Sequence, residues 1–104
     1  MANEAALQAI GNPTRRRVLE LLRSGERTVG ELTEEMPITQ GAVSQHLKVL
    51  KDAGIVQVRS EGTRHLYSVD LGGLGEIRAW VDSFWDDVLD AFVRHAEQPD
   101  SEKP

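Results

Sequence analysis

The sequence contains no cysteine among its 104 residues. This absence excludes disulfide bonds, thiolate metal sites and cysteine nucleophiles, and it is compatible with a reducing compartment. No apolar run approaches the ~20 residues that a membrane-spanning helix needs, and no signal peptide is recognisable in the first ten residues. We therefore expect a cytoplasmic protein with no membrane partner.

Patterns typical of an active site are also missing. No nucleophile is arranged with a base, and the "GGLG" after Asp70 lacks the spacing of a phosphate-binding loop. We therefore predict that the protein is not an enzyme. The length favours one domain over residues 1–98, followed by a disordered tail over residues 99–104.

The acidic residues are unevenly distributed along the chain. The net charge is −5, but residues 28–38 and 71–104 carry −3 and −5, whereas residues 1–27 and 39–70 carry +2 and +1. A polyanion would be repelled by the C-terminal segment and tolerated by the rest of the chain, because the local sign of charge matters more than the total.

Apolar spacing and capping residues predict four helices in the first half of the chain. The third and fourth are joined by a tight connection and form a helix-turn-helix, whose second helix enters the major groove of DNA. In the predicted helix Asn12–Gly25, the apolar stripe that faces the core comprises Val18, Leu19 and Leu22. The predicted spans are Ala2–Ile10, Asn12–Gly25, Thr28–Met36 and Thr39–Gly54.

The fourth helix carries no acid before Asp52. On a helical wheel Val43, Leu47 and Leu50 lie together and predict its buried side. The opposite side offers amides and hydroxyls for base edges and ammonium groups for phosphates. His46 lies at the border and either contacts DNA or packs in the core. The predicted DNA contacts of this helix are Thr39, Gln40, Ser44, Gln45, His46, Lys48 and Lys51.

Alternating apolar and polar residues predict a β-hairpin within residues 55–70, with its turn at Glu61-Gly62. Leu66 interrupts the alternation in the second strand. Arg59 and Arg64 flank the tip, and we predict that they contact DNA by straddling a phosphate backbone or by entering a minor groove. The hairpin is then the wing of a winged helix.

Two other basic features have two interpretations each. The run Arg15-Arg16-Arg17 either contacts phosphates or forms a solvated face in which Arg16 pairs with Glu20. His65 in the wing is either structural or a phosphate contact.

The last helix, predicted over Leu74–Glu97 with Asp70 as its cap, holds both tryptophans and both phenylalanines. Its apolar residues recur at alternating spacings of three and four, which is a heptad seam. A helix this apolar must be buried on two sides, so we predict that one side covers the domain and the other meets a second copy. The predicted dimer interface comprises Leu7, Ile77, Trp80, Val81, Phe84, Trp85 and Val88.

The stretches "ALQAIGNPTRRRVLELL", "AVSQHLKVLKDAGIVQVRSEGTRHLYSVD" and "WVDSFWDDVLDAF" resemble the arsenic-repressor (ArsR/SmtB) family of bacterial winged-helix regulators. The resemblance covers roughly residues 5–97. It implies a mainly α fold with a β-hairpin wing (α+β), in the order ααααββα, and a homodimer formed through the terminal helices. Ser44, Gln45 and His46 match the family's recognition-helix segment S-x-H-L.

Many members of this family sense metals, and this sequence departs from both of their sites. Thr28 and Gly30 stand at two cysteine positions, so that thiolate site is absent. On the last helix Asp82 and His95 are preserved, but Phe84 and Gln98 replace two other ligands. We therefore assign no cofactor, and Asp82 and His95 remain candidate ligands of a non-thiolate nickel or zinc site.

These features favour a sequence-specific DNA-binding regulator, a dimeric repressor or autorepressor at a palindromic, inverted-repeat operator. One alternative is a repressor that responds to nickel or zinc through non-cysteine ligands near His95 at the dimer seam. Another is a protein-interaction module whose winged helix no longer binds DNA, which the acidic tail suggests.

Overall fold

A computed structural model describes residues 4–97. It has the predicted element order, ααααββα, with a single 3-10 turn at Leu22–Ser24 after the second helix. Three predicted features lie outside the described residues: the start of the first helix at Ala2, Gln98, and the tail 99–104. The elements are α1 (Glu4–Ile10), α2 (Pro13–Leu21), α3 (Val29–Glu34), α4 (Gln40–Asp52), β1 (Val56–Glu61), β2 (Arg64–Val69) and α5 (Leu71–Glu97).

Polar caps start the helices where the sequence predicts them. The Asn12 side chain accepts hydrogen bonds from the first backbone N–H groups of α2, and Thr39 caps α4 in the same way. Thr28 and Glu31 form a reciprocal capping box at α3. The backbone N–H of Thr28 donates to the Glu31 carboxylate, and this hydrogen bond holds the pKa of Glu31 below its usual value.

Two helix ends differ from the sequence prediction. Instead of continuing to Gly25, α2 tightens into the 3-10 turn after Leu21, and Leu21 is buried while Leu19 is only partly buried. Helix α3 ends at Glu34 rather than at Met36, although the Met36 side chain still reaches the core. In both cases the apolar side chains remain inside while the last helical turn gives way to a tighter connection.

The core lies between α2, α3, α4 and the base of the hairpin. It includes the predicted stripe of α4. No polar or charged side chain is buried among residues 4–97. The interior of the helix-turn-helix is therefore packed with apolar side chains, and its polar side chains remain outside. The largest fully buried side chains are Leu32, Leu47, Leu50, Ile55, Val18, Val43 and Val56.

The hairpin is regular, and Leu66 does not interrupt it. Strands β1 and β2 pair from Val56↔Val69 to Glu61↔Arg64, and Gly62 adopts φ 64° in the turn. Leu66 is buried, so both faces of β2 are partly covered. Arg27 also pairs with Tyr67 of β2 in an isolated antiparallel bridge, through backbone hydrogen bonds of 3.0 and 2.8 Å. The sequence does not indicate this bridge.

Helix α5 begins at Leu71, three residues before the predicted start. Asp70 caps it as predicted, accepting hydrogen bonds from the N–H groups of Gly72 and Gly73 at 3.0 and 3.3 Å. In this first turn Gly73 lies directly against the backbone of Gly54. A Cβ atom at position 73 would be 1.8 Å from the Gly54 carbonyl oxygen.

Beyond Ile77, α5 leaves the domain and every residue to Glu97 is exposed. At about 1.5 Å per residue the helix is roughly 40 Å long. It accounts for the elongated shape of the molecule, which measures 66 × 27 × 23 Å.

The contact between Gly73 and Gly54 predicts the effect of adding one methyl group. Gly73→Ala is expected to lower the free energy of unfolding by about 1–3 kcal/mol, because the methyl group overlaps a backbone carbonyl that cannot rotate away. Gly75→Ala is the matched control, since a Cβ there meets no atom within 4 Å. The control is expected to stabilise the protein by about 0.5–1 kcal/mol. Urea unfolding of both variants measures the difference, and equal stabilities would contradict the close contact.

Candidate nucleic-acid interface

The outward side of α4 has the composition that the sequence predicts. Gln40, Ser44, Gln45, Lys48 and Lys51 are all exposed, while Val43, Leu47 and Leu50 are buried beneath them. The apolar stripe thus fixes the rotation of the helix and turns its amides, hydroxyl and ammonium groups towards solvent.

Two further predicted DNA contacts lie at the margins of this surface. Thr39 is exposed, but its hydroxyl oxygen accepts the Ala42 N–H at 3.1 Å as the cap of α4. His46 is half-buried, between the core stripe and the exposed face. This position agrees with its border angle on the wheel.

The two lysines of α4 have different electrostatic surroundings. Lys48 Nζ lies 2.9 Å from Asp52 Oδ2, and this hydrogen bond holds the pKa of the Asp52 carboxyl below its usual value. Lys51 forms no ion pair with any residue between 4 and 97. The single acid of the surface is therefore offset by Lys48, and Lys51 supplies the remaining positive charge.

A cleft of about 390 Å³ separates α4 from the wing. It brings the exposed side of α4 and one face of the hairpin to the same opening, although the two are separated in the sequence. Its lining residues are Ser44, Lys48, Lys51, Asp52, Val58, His65 and Tyr67.

The strand register divides the wing side chains between two faces. Alternate residues of a strand point to opposite sides, and directly paired residues share a side. Val58, His65 and Tyr67 therefore line the side that forms the cleft, whereas Arg59 and Arg64 lie on the other side. Sequence alternation indicated this division within each strand but not which side faces α4.

Both wing arginines are paired with acids. Arg59 donates to Glu26 through Nε and Nη2 at 2.6 and 2.8 Å, a two-pronged contact across 33 residues of sequence. The arginine lowers the pKa of Glu26, and the same hydrogen bonds raise that of Arg59. Glu61 lies 3.7 Å from both Arg59 and Arg64. Sequence spacing gave no signal for the Glu26 contact.

The arginine run of α2 is divided between structural contacts. Arg15 Nε donates to the Ala9 carbonyl and Arg16 Nη1 to the Ile10 carbonyl, each at 2.8 Å, so these guanidinium groups cap the end of α1. The expected pairing of Arg16 with Glu20 is wrong. It is Arg17 that lies 3.4 Å from Glu20, one helical turn away.

The apolar surface of α5 is mostly uncovered. Phe84 and Trp85 are 57% and 62% exposed, and Trp80 stacks on Phe84 with ring centroids 5.7 Å apart. Two members of the predicted interface lie elsewhere: Ile77 is buried in the core of its own chain, and Leu7 is partly buried against that core. The exposed members are Trp80, Val81, Phe84, Trp85 and Val88.

The candidate metal ligands do not meet within one chain. Asp82 and His95 lie on one continuous helix, 13 residues apart, which separates them by about 20 Å. Asp82 instead lies 3.7 Å from Arg78. No group of three or more potential ligands is close enough to hold a metal ion within residues 4–97. A shared ion would need Asp82 of one copy and His95 of another.

None of the helices between residues 4 and 97 combines the length and apolar character needed to cross a membrane.

Known proteins share this arrangement. Residues 12–58 match the sequence model of the bacterial regulatory proteins of the arsR family. The HTH-type transcriptional regulator Rv2034 of Mycobacterium tuberculosis is 43% identical over 91 residues, 88% of this chain and 85% of the relative. The transcriptional repressor SdpR of Bacillus subtilis is 34% identical over 77 residues, 74% of this chain and 86% of the relative.

A solved structure has the same fold. The homodimeric winged helix-turn-helix DNA-binding domain of Mb0332 from Mycobacterium bovis superimposes with a TM-score of 0.66 and 30% identity, over 85% of this chain and 82% of that domain. The helix-turn-helix, the wing and the relatives agree, and this chain belongs to the arsR family of bacterial regulatory proteins.

Proposed function

We propose that this protein is a transcriptional repressor that binds an inverted-repeat operator as a homodimer. The observation that carries the proposal is the exposed face of α4, where amides, a hydroxyl and lysines surround a single, already paired carboxylate. Such a face suits a major groove, which offers donors and acceptors on base edges between two rows of phosphates. Family membership supports this assignment over catalysis, and it supports action in the cytoplasm, where bacterial DNA lies.

The side chains of α4 have separable tasks in this proposal. Gln40, Ser44 and Gln45 read base edges, because amides and hydroxyls both donate and accept hydrogen bonds. Lys48 and Lys51 bind phosphates. Thr39 and the half-buried His46 contribute at the margins, with the Thr39 hydroxyl already engaged as a helix cap.

The wing arginines reach DNA by exchanging partners. Arg59 and Arg64 lie on the side of the hairpin away from α4, where Glu26 and Glu61 neutralise them in the free protein. When the wing enters a minor groove, this side faces the more distant strand, and phosphates replace the carboxylates. Glu26 then competes with DNA for Arg59.

The exposed apolar surface of α5 supports a homodimer. A surface with this many large apolar side chains is typical of a protein interface, and the domain it extends from leaves it uncovered. The structure from Mycobacterium bovis is described as homodimeric. A two-fold dimer presents two copies of α4, so the operator is expected to be palindromic with half-sites about one helical turn apart.

The reading role of α4 predicts the effect of a double substitution. Ser44→Ala with Gln45→Ala is expected to reduce the preference for operator over scrambled DNA by about ten-fold, because base-edge hydrogen bonds are lost while phosphate contacts remain. Fluorescence anisotropy at low salt measures both affinities. The matched control is Gln57→Ala with Ser68→Ala, a hydrogen-bonded pair of the same residue types at the base of the wing. Unchanged preference in the α4 variant would show that other residues read the bases.

Competition between Glu26 and DNA predicts a gain in affinity. Glu26→Gln removes the carboxylate charge and is expected to tighten binding to duplex DNA by about five-fold, the upper range for an exposed ion pair. Glu20→Gln is the control, since it removes the same charge beside Arg17 on α2. Salt titrations of both variants measure the change. Weaker binding by Glu26→Gln, or an equal gain in both variants, would contradict the exchange.

The dimer surface predicts a change in mass. Phe84→Glu places a charge at the centre of the exposed apolar face and is expected to shift the protein from twice to once its chain mass of 11.5 kDa. The fold should survive, because Phe84 is 57% exposed and its stacking partner Trp80 is exposed as well. Sedimentation velocity measures the mass, with Asp86→Ala on the polar side of α5 as the control. A dimer in the Phe84→Glu variant would place the interface elsewhere.

A further inference from the structure

The cleft between α4 and the wing lies where a DNA backbone has to pass. In a winged-helix complex α4 occupies a major groove and the wing tip reaches the neighbouring minor groove. These two grooves are separated by one sugar-phosphate strand. That strand must therefore run between the helix and the hairpin, through the cleft that Ser44 and Lys51 line on one side and His65 and Tyr67 on the other.

The charges in this cleft favour an anion. Lys48 and Asp52 are paired at 2.9 Å, so they offset one another, and the net positive charge of the helix side comes from Lys51. Lys51 forms no ion pair within residues 4–97, so its ammonium group is available to a ligand. The wing arginines contribute no direct contact here, because they lie on the opposite face with Glu26 and Glu61.

The wing supplies a second donor. His65 is exposed, and its Nδ1 lies 3.4 Å from the hydroxyl oxygen of its cross-strand neighbour Ser60. When the Ser60 hydroxyl donates to Nδ1, the ring proton resides on Nε2, and that N–H donates to an anion in the cleft. The neutral imidazole is sufficient for this contact.

We propose that the cleft is a binding site for one phosphodiester of the operator, held by Lys51 from α4 and by His65 from the wing. The site rests on the proposed DNA-binding function and adds His65 to the contacting residues. It also gives the wing a fixed distance from the reading helix, because both donors bind the same phosphate. Lys51 contributes a positive charge, and His65 contributes a directional hydrogen bond to the phosphate.

The test combines protein variants with chemically altered DNA. The probe is a duplex that the wild-type protein enriches from a random-sequence library, synthesised with one uncharged methylphosphonate at each backbone position in turn. Lys51→Gln is expected to reduce the slope of log affinity against log salt by about 0.9 per site, as expected for one phosphate. His65→Ala is expected to weaken binding by about ten-fold, typical of a lost hydrogen bond to a charged group.

The decisive result is a shared position. A methylphosphonate at one position in each half-site is expected to weaken binding by the wild-type protein. On DNA with that methylphosphonate, Lys51→Gln and His65→Ala are expected to cause no further loss of affinity. Lys51→Arg should retain the wild-type slope. Arg23→Gln is the charge-matched control, because it removes an exposed cation in the 3-10 turn that follows α2. Circular dichroism verifies that each variant is folded.

Three outcomes overturn the proposal in distinguishable ways. If Lys51→Gln changes the salt slope no more than Arg23→Gln, Lys51 binds no phosphate. If the effects of the two substitutions on affinity are abolished by methylphosphonates at different positions, the two residues do not share one phosphodiester. If the wild-type protein enriches no duplex at low salt, the DNA-binding function fails and the site fails with it.

Discussion

The close contact between Gly73 and Gly54 sets the direction in which α5 leaves the domain. Gly54 follows the last turn of α4, and Gly73 lies in the first turn of α5, so this contact joins the end of α4 to the start of α5, the helix that we propose as the dimer interface. The Asp70 N–H also donates to the Ile55 carbonyl at 2.7 Å. A backbone-to-backbone contact leaves little freedom, because no side chain can rotate to relieve it.

This junction has a consequence for DNA recognition by a dimer. In the proposed complex two copies of α4 are separated by about one helical turn of DNA, and that separation depends on the angle between α4 and α5 in each copy. A small change in that angle is amplified over the roughly 40 Å length of α5.

Local charge pairing explains how an acidic chain can suit a polyanion. The net charge is −5, yet on the reading side Asp52 is bound by Lys48, and on the wing Glu26 is bound by Arg59. Of the other acids in the described chain, six lie on α5, which extends beyond the domain, and Glu31, Glu34 and Glu35 lie within residues 28–38. Because exposed charges are screened within about 8 Å at physiological ionic strength, the distant acids of α5 weaken the field at α4 only slightly.

Local sequence signals determined the elements and the composition of the reading face. Caps at Asn12, Thr28 and Thr39 and the stripe of Val43, Leu47 and Leu50 act within one or two helical turns, so they can be read directly from spacing. The family could be recognised for the same reason, since its helix-turn-helix is a contiguous segment. The heptad pattern of α5 indicated a partner, but it did not indicate that Ile77 is buried in the core of its own chain.

Tertiary structure alone decided the contacts between distant segments. These include the pairing of Arg59 with Glu26, the bridge of Arg27 to Tyr67, the contact of Gly73 with Gly54 and the cleft lined by both Lys51 and His65. Each joins residues from different elements, and no local periodicity encodes the distance between them. The sequence determined which side chains are available at the surface, whereas packing decided which of them lie together, because the relative placement of helices and strands depends on the whole core.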